Sequence, residues 1–113
     1  MQIVATLATL SLLPFLGVFA DEHPQCWCAY KVGNTWQADE ALTFNTCHRN
    51  VPDTEGQYDF GVERCVAIQH RRLDGDRWNG DCVQQGKDGW YPINDGAIDY
   101  TQAPRYGTTK GFC

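Results

Sequence analysis

The chain is poor in the residues on which common hydrolytic chemistry depends. Its only serine is Ser11, which lies in an uncharged stretch at the start of the chain, and the sequence contains no G-x-S-x-G motif. A serine nucleophile needs a hydroxyl in such a setting. The chain beyond that stretch therefore cannot act as a serine hydrolase. No histidine follows His70, so the C-terminal part offers no imidazole for acid–base catalysis.

Charged side chains are absent from residues 1–20, an apolar run that ends in the small residue Ala20 directly before Asp21. This pattern is typical of a secretory signal peptide, and we expect cleavage after Ala20. The run departs from the usual signal in one respect, because no lysine or arginine stands near its start. Pro14 and Gly17 interrupt the run and argue against a membrane-spanning helix.

Residues 21–113 contain every cysteine and every charged side chain. An even cysteine number in a short secreted chain indicates a disulfide framework, here three bridges drawn from about 15 possible pairings. Each bridge contributes about 2–4 kcal/mol, which is comparable with the net stability of a small domain. We therefore expect one extracellular, disulfide-bonded domain over residues 21–113. The disulfide residues are Cys26, Cys28, Cys47, Cys65, Cys82 and Cys113.

The net charge is −5, from nine basic and fourteen acidic residues. A negatively charged chain repels nucleic-acid backbones and anionic membrane surfaces. We therefore expect neither a nucleic acid nor a membrane as the partner of this protein.

A first strand is predicted from Cys26 to Val32, where it ends at the turn pair Gly33-Asn34. Side chains alternate along a strand, so Cys26 and Cys28 should share one face and bond to two different elements. The polar residues before Cys26 should form a short free lead.

A helix is predicted over residues 35–48. Asn34 is a suitable N-cap, and Gln37 three residues later is a suitable capping-box partner. The apolar residues that follow have roughly helical spacing and would turn Cys47 inward. Residues 50–61 are polar and rich in turn formers and should form a loop, with Tyr58 and Phe60 as the only packing signal.

Residues 65–82 are predicted to form the disulfide-stabilised centre of the domain. Residues 65–70 have the strongest strand pattern in the chain. After an Asp-rich turn, Trp78 and Cys82 are spaced for one helical face, and Gly86 could end that helix. A hairpin strand is the alternative, because an interior glycine is unfavourable in a helix.

The last part of the chain, from residue 87, is rich in glycine, proline and aromatic residues and should form short strands at most. Cys113 should tie this tail to the core and keep it ordered. Together these elements predict an α+β fold, with one antiparallel sheet and one or two helices on one face. An all-β barrel or sandwich is the alternative. If the first strand lies beside residues 65–70, Cys26 or Cys28 could bond to Cys65.

Metal ligation is not indicated by the cysteines or by the acidic turn. Cys26 and Cys28 have the wrong spacing for a zinc ligand pair. The turn at residues 74–81 resembles a calcium loop, but Trp78 stands where an oxygen ligand is needed and Asn79 where glycine is needed. We expect no metal and no cofactor.

One set of residues could support a metal-independent ribonuclease, which needs a general acid, a general base and a cation. The set consists of His48, Glu55, Glu63, Arg64 and His70. Fungal guanyl-specific ribonucleases are likewise small, acidic and disulfide-bonded, but their motif around the first histidine and their C-terminal histidine are missing. We therefore predict that the protein is not an enzyme, with a ribonuclease or an inactive relative as the main alternative.

One basic cluster stands out in this acidic chain, consisting of Arg64, His70, Arg71, Arg72 and Arg77. It could contact a phosphate, an acidic glycan or a carboxylate-rich protein surface. Alternatively, it is a solvated strand edge whose charge discourages aggregation. Arg71-Arg72 is also a dibasic pair that a processing protease could cut.

The four tryptophans are Trp27, Trp36, Trp78 and Trp90. In a chain with few aliphatic residues they should mostly fill the core, although one or two could instead form a sugar-binding or protein-binding face. The binding residues predicted from these two features are Arg71, Arg72, Arg77, Trp78 and Trp90.

Several stretches resemble fungal small secreted cysteine-rich proteins, a group that includes plant-pathogen effectors and killer-toxin-like proteins. Besides the uncharged start, the stretches are Cys26-Trp27-Cys28, residues 43–47, residues 73–78 leading to Cys82, and the closing Cys113. Such proteins often have compact α+β or all-β folds and bind host or microbial targets without catalysis.

The resemblance implies a secreted, monomeric binding protein, an effector or virulence factor that acts on a host or microbial protein or on a cell-wall glycan. An antimicrobial or killer-type toxin is a further alternative, but a net charge of −5 argues against the cationic surface that such toxins usually have.

Overall fold

Strand β2 (Gln25–Val32) is the centre of the fold in the computed structural model, which describes residues 22–113. The predicted signal peptide and its cleavage point lie outside these residues. The other strands are β1 (Glu22–His23), β3 (Thr35–Ala38), β4 (Gly56–Asp59), β5 (Arg64–Ala67), β6 (Leu73–Asp74), β7 (Ile93–Asn94), β8 (Ala97–Ile98) and β9 (Thr109–Phe112), and the helices are α1 (Glu40–Asn50) and α2 (Gly75–Asp88). No helix in this part of the chain is long and apolar enough to cross a membrane.

The main sheet has five antiparallel strands, of which β2 pairs with β3, β5 and β9, while β4 pairs with β5. The hairpin between β2 and β3 turns at Gly33, whose φ of +61° is the left-handed conformation that glycine adopts at little cost. Both helices lie on the sheet face to which the inward cysteines point, since Cys28 bonds to α2 and Cys65 bonds to α1. The predicted α+β architecture is therefore confirmed, and the sheet does not close into a barrel.

Three disulfides join the sheet to the helices and to the end of the chain. Cys26 bonds to Cys113 and Cys28 to Cys82, which confirms that the two early cysteines share a face and reach different elements. Strand β2 does lie beside β5, but neither early cysteine forms the bond to Cys65 that this neighbourhood would have allowed. Cys65 instead bonds to Cys47, which α1 places directly above β5.

Helix α1 begins later than predicted. Its N-cap is Asp39, whose carboxylate accepts a hydrogen bond from the backbone N–H of Ala41 at 3.0 Å, and the predicted cap Asn34 lies in the hairpin turn. The four residues of β3 form a strand instead of a first helical turn, because their backbone groups pair with β2. The prediction that α1 carries Cys47 inward is confirmed, since this residue is buried.

Helix α2 is present as predicted and the hairpin alternative is wrong, but the helix begins at Gly75, inside the stretch Asp74-Gly75-Asp76 that was expected to form a turn before it. Asp74 caps it by accepting hydrogen bonds from the backbone N–H groups of Asp76 and Arg77. The helix continues past Gly86 and ends at Asp88, with Gly89 as its C-cap. Gly86 instead lies against β9, where an added Cβ would stand 2.6 Å from Cγ2 of Thr109. The missing side chain lets the helix and the strand approach closely.

Three shorter expectations are corrected. The predicted loop over residues 50–61 contains β4, because Gly56 lets the backbone approach the carbonyl of Val66 on β5. Strand β5 ends at Ala67 instead of residue 70, and Gln69 nearby has a φ of +49°. The lead before Cys26 is not free, since β1 pairs with β6. The tail is held as predicted, through β9 and Cys113.

Candidate binding surface

Two of the predicted binding residues lie in the core. Trp78 is 2% exposed and Trp90 is 1% exposed. Each indole nitrogen has an internal partner, because Trp78 donates to the carbonyl of Trp27 at 2.9 Å and Trp90 donates to the carboxylate of Asp39 at 3.1 Å. The prediction that these two tryptophans form a binding face is therefore wrong. They supply the apolar bulk of a core that has few aliphatic side chains.

The three predicted binding arginines, Arg71, Arg72 and Arg77, are exposed. The first two lie in the loop between β5 and β6, and the third lies in the first turn of α2. Arg72 and Arg77 border a depression of about 180 Å³ that three carboxylates also line, those of Glu55, Asp74 and Asp81. These acids offset the positive charge locally, so the role of the three arginines in anion binding stays a prediction that the structure does little to favour.

Asp81 shows that this depression is partly shielded from water. Burial raises the pKa of its carboxyl above the usual range, and the nearby Arg77 and Arg49 guanidinium groups act in the opposite direction. These charges act on one another across the depression, although Arg72 and Arg77 form no ion pair within residues 22–113. A site for an external anion is favoured where cations outnumber the acids beside them.

The outer face of the sheet, opposite the helices, carries such cations. Alternation along β2 turns Trp27 and Lys31 outward, since Cys28 points to the helices. Their cross-strand partners lie on the same face, Phe112 beside Trp27 and Trp36 beside Lys31. We call the resulting row the cation–aromatic strip. Its members are Lys31, Trp36, Lys110, Phe112, Trp27 and Arg64.

One end of the strip is built on Trp27. The guanidinium of Arg64 stands 3.7 Å from the centroid of the Trp27 ring, which is close contact for a cation above an aromatic face. The rings of Trp27 and Phe112 are 5.7 Å apart and inclined by only 17°, so they stack side by side. Arg64 is thereby held in one position on a half-buried aromatic base.

The other end of the strip is built on Trp36. The Nζ atom of Lys110 lies 5.6 Å from the centroid of this ring and 5.1 Å from that of Phe112. The Nζ atom of Lys31 lies 5.8 Å from Trp36 on the same face. Trp36 is itself 38% exposed. This end therefore offers two solvent-facing ammonium groups beside an accessible indole.

The strip cations have no carboxylate partner within the described part of the chain. The ion pairs among residues 22–113 involve Arg49 with Asp88 and Arg105 with Asp39. Arg64, Lys31 and Lys110 belong to neither pair. Arg64 borders a concavity that the carboxylates of Asp39, Glu40 and Glu63 also line, so the net positive charge of the strip comes from Lys31 and Lys110, on a molecule whose net charge is −5.

A separate cleft of about 490 Å³ lies between α1, β4 and the β7–β8 hairpin. Its walls include Phe44, Tyr58 and Phe60, whose ring centroids are 4.8 to 5.1 Å from one another. The pair of aromatic residues that the sequence marked in the predicted loop thus packs on α1. His48 and the exposed Tyr100 also border this cleft.

The structure distributes the candidate ribonuclease residues over different regions. His48 borders the aromatic cleft, Glu55 borders the depression beside Arg72, and Glu63 and Arg64 border a third concavity next to Trp27. His70 lies in the exposed loop after β5. No described depression gathers an acid, a base and a cation from this set. Residues 22–113 also contain no group of three or more side chains that could hold a metal ion.

The chain matches no family model, no curated protein and no solved structure.

Sequence reasoning missed most of the cation–aromatic strip. Strand alternation at residues 26–28 already placed Trp27 opposite the cysteines, and this was the one available signal. Trp36 could not be placed on the sheet because the local signals at residues 35–38 predict a helix. Lys110 and Phe112 were hidden because nothing local in the tail indicates that it pairs with β2.

Proposed function

We propose that this protein is a secreted, non-catalytic binding protein, and that the cation–aromatic strip binds an acidic polysaccharide outside the producing cell. The observation that carries the proposal is the row of three cations on aromatic rings at the outer face of the sheet, none of which forms an ion pair within residues 22–113. Support for secretion comes from the uncharged start of the chain and from three disulfides, which persist in oxidising compartments.

Charge complementarity favours an anionic ligand at the strip. Elsewhere the molecule is dominated by acidic side chains, since fourteen acids outnumber nine bases. A polyanion is therefore repelled from most of the surface and attracted to the strip. The aromatic rings hold the cations in place, which reduces the side-chain entropy that is lost on binding.

The aromatic rings also favour a sugar over a purely ionic ligand. Trp36 presents an accessible indole between two lysines. The C–H face of a pyranose ring can pack on such a ring, while carboxylate groups on the same chain meet the flanking ammonium groups. A uronic-acid polymer has both features.

The dimensions of the strip favour a linear chain over a protein surface. Trp27 and Lys31 are four residues apart on β2, which corresponds to roughly 13 Å along the strand. A standard protein interface covers about 800 Å² on each partner, which is far more than one narrow row of six side chains provides. Nucleic acid is disfavoured because its denser charge would be repelled by the rest of this acidic molecule.

The proposal is tested with polygalacturonate, a linear uronic-acid polymer, and with dextran as the neutral control. Titration followed by tryptophan fluorescence should show binding of polygalacturonate only, weakening as salt is raised. The double variant Lys31→Gln, Lys110→Gln should bind about tenfold more weakly, since two exposed ionic contacts of about 0.7 kcal/mol each are lost.

The matched control is the double variant Arg71→Gln, Arg72→Gln, which removes the same number of positive charges from a different surface. It should bind polygalacturonate like the unmodified protein. Equal weakening in both variants would show that overall charge, and not the strip, governs binding. Failure of the unmodified protein to bind polygalacturonate, with binding of an acidic protein instead, would replace the proposed ligand class.

A further inference from the structure

The loop between β5 and β6 carries the only pair of adjacent basic residues in the chain, Arg71-Arg72. Both side chains are exposed, and neither takes part in an ion pair within residues 22–113. We propose that the Arg72–Leu73 peptide bond is a processing site for an endoprotease that recognises paired basic residues, and that the processed protein consists of two chains joined by disulfides.

The loop meets the recognition needs of such an enzyme. Proteases of this specificity bind the two basic side chains in acidic subsites, so both must be accessible and free of internal carboxylate partners. The carboxylates of Glu55, Asp74 and Asp81 line the same depression as Arg72, but none of them lies within ion-pair distance of its guanidinium group. One turn hydrogen bond, from the N–H of Arg71 to the carbonyl of Ile68 at 2.9 Å, holds the start of the loop.

The carboxyl-terminal side of the bond needs a local opening. Leu73 is 5% exposed and belongs to β6, which pairs with β1 over two residues only. A protease binds its substrate in an extended form, so this short pair has to separate. The opening also withdraws the Leu73 side chain from the core cluster, so it costs more than separating two strand residues, yet it is a local opening that leaves all three disulfides intact. Helix α2 begins at Gly75, so the opening also releases the cap that Asp74 provides to the N–H groups of Asp76 and Arg77, while the Cys28–Cys82 disulfide holds the rest of the helix on the sheet.

Hydrolysis consumes one water molecule, breaks the Arg72–Leu73 bond, and leaves a carboxylate on Arg72 and an amino group on Leu73. The Cys47–Cys65 disulfide lies entirely before the cut. The Cys26–Cys113 and Cys28–Cys82 disulfides each join a residue before the cut to one after it. The two pieces therefore remain one covalent molecule. The main sheet and the cation–aromatic strip are built on residues outside the loop and should persist.

The test treats the folded, oxidised protein with a purified endoprotease specific for paired basic residues. We expect one species on a non-reducing gel and two fragments after reduction. Mass spectrometry of the unreduced protein should show an increase equal to the mass of one water molecule. N-terminal sequencing of the second fragment should begin at Leu73. The variant Arg71→Gln, Arg72→Gln should remain a single chain, whereas the control Arg49→Gln, Arg77→Gln should be cut like the unmodified protein.

The reduced and alkylated chain serves as the positive control for the cleavage motif itself. If it is cut while the folded protein stays intact over the same time, the loop does not open and the proposal is overturned. Expression in a secreting host provides an independent measurement. Recovery of only single-chain protein from the medium of a host that contains such a protease would also overturn it.

Discussion

Tyr58 places a hydroxyl group inside the protein without a hydrogen-bond partner among the described residues. Its ring packs against Phe44 and Phe60. Burial raises the pKa of Tyr58 far above its usual value of 10.0, and the neighbouring carboxylates of Glu40 and Glu63 raise it further. The phenol therefore stays neutral at pH values at which an exposed tyrosine ionises. The ring contributes to packing, whereas the hydroxyl contributes an uncompensated loss of hydration.

Tyr58→Phe should leave the free energy of unfolding unchanged or raise it by about 1 kcal/mol, because it removes the unpaired hydroxyl and keeps the ring. Above pH 10 the effect should grow. The unfolded phenol ionises there while the folded one does not, so the unmodified protein loses stability as pH rises and the variant is spared this loss. Urea unfolding at pH 7 and pH 10.5 measures both effects.

Tyr100→Phe is the control for this prediction, since Tyr100 is 66% exposed and its hydroxyl is hydrated in both states. That variant should differ from the unmodified protein by less than about 0.5 kcal/mol. A loss of more than 1 kcal/mol in Tyr58→Phe would mean that the Tyr58 hydroxyl has a strong partner, such as an ordered water.

Two glycines in helix α2, Gly80 and Gly86, have different structural roles. An added Cβ at Gly80 would meet no atom within 4 Å, whereas at Gly86 it would lie 2.7 Å from the carbonyl oxygen of Gly107. Gly80 thus only weakens the helix. Gly86 sets the distance between the helix and the segment that leads into β9.

Gly80→Ala should raise the free energy of unfolding by about 0.5–1 kcal/mol, the difference in helix propensity between the two residues. Gly86→Ala gains the same propensity but should lower the free energy by about 1–3 kcal/mol, because the strand has to move away. Thermal or urea unfolding of both variants checks the pair. A Gly86→Ala protein as stable as Gly80→Ala would show that the contact between α2 and β9 is loose.

The elements that could be predicted from the sequence are those whose causes are local. Helix α2 has a capping aspartate and an inward face of Trp78 and Cys82 within one short stretch, and strand β2 has its alternation and its turn. The predicted start of α1 was wrong because residues 35–38 pair with β2, and that pairing outweighs their local helical signals. Likewise, two of the six members of the cation–aromatic strip lie on β9, whose pairing with β2 joins residues far apart in the chain.

At the scale of the whole molecule, the disulfides supply stability that the small hydrophobic core does not provide by itself. The core cluster is dominated by cysteines and two tryptophans, with Leu42 and Leu73 as its buried aliphatic side chains. The bridges span 87, 54 and 18 residues, and the longest fastens the end of the chain beside β2. Constraint of the unfolded chain grows with the length of the closed loop. The bridge that closes the sheet should therefore also stabilise most.

Removing the longest bridge, by Cys26→Ala with Cys113→Ala, should lower the free energy of unfolding by about 4.6 kcal/mol, against about 3.2 kcal/mol for Cys47→Ala with Cys65→Ala. The two variants should differ more clearly in binding. Loss of the Cys26–Cys113 bridge frees the end of β9, which carries Lys110 and Phe112. The Cys47–Cys65 bridge joins α1 to β5 and does not hold β9.

Urea unfolding gives the order of stability, and polygalacturonate titration at a temperature where both variants remain folded gives the order of binding. We expect the variant without the Cys26–Cys113 bridge to bind more weakly than the variant without the Cys47–Cys65 bridge, which should bind like the unmodified protein. If both variants bind like the unmodified protein, the ligand does not contact the end of β9, and if both lose binding equally, the loss reflects general loosening of the fold. If the Cys47–Cys65 variant is the less stable of the two, loss of packing around α1 outweighs the entropy of the closed loop.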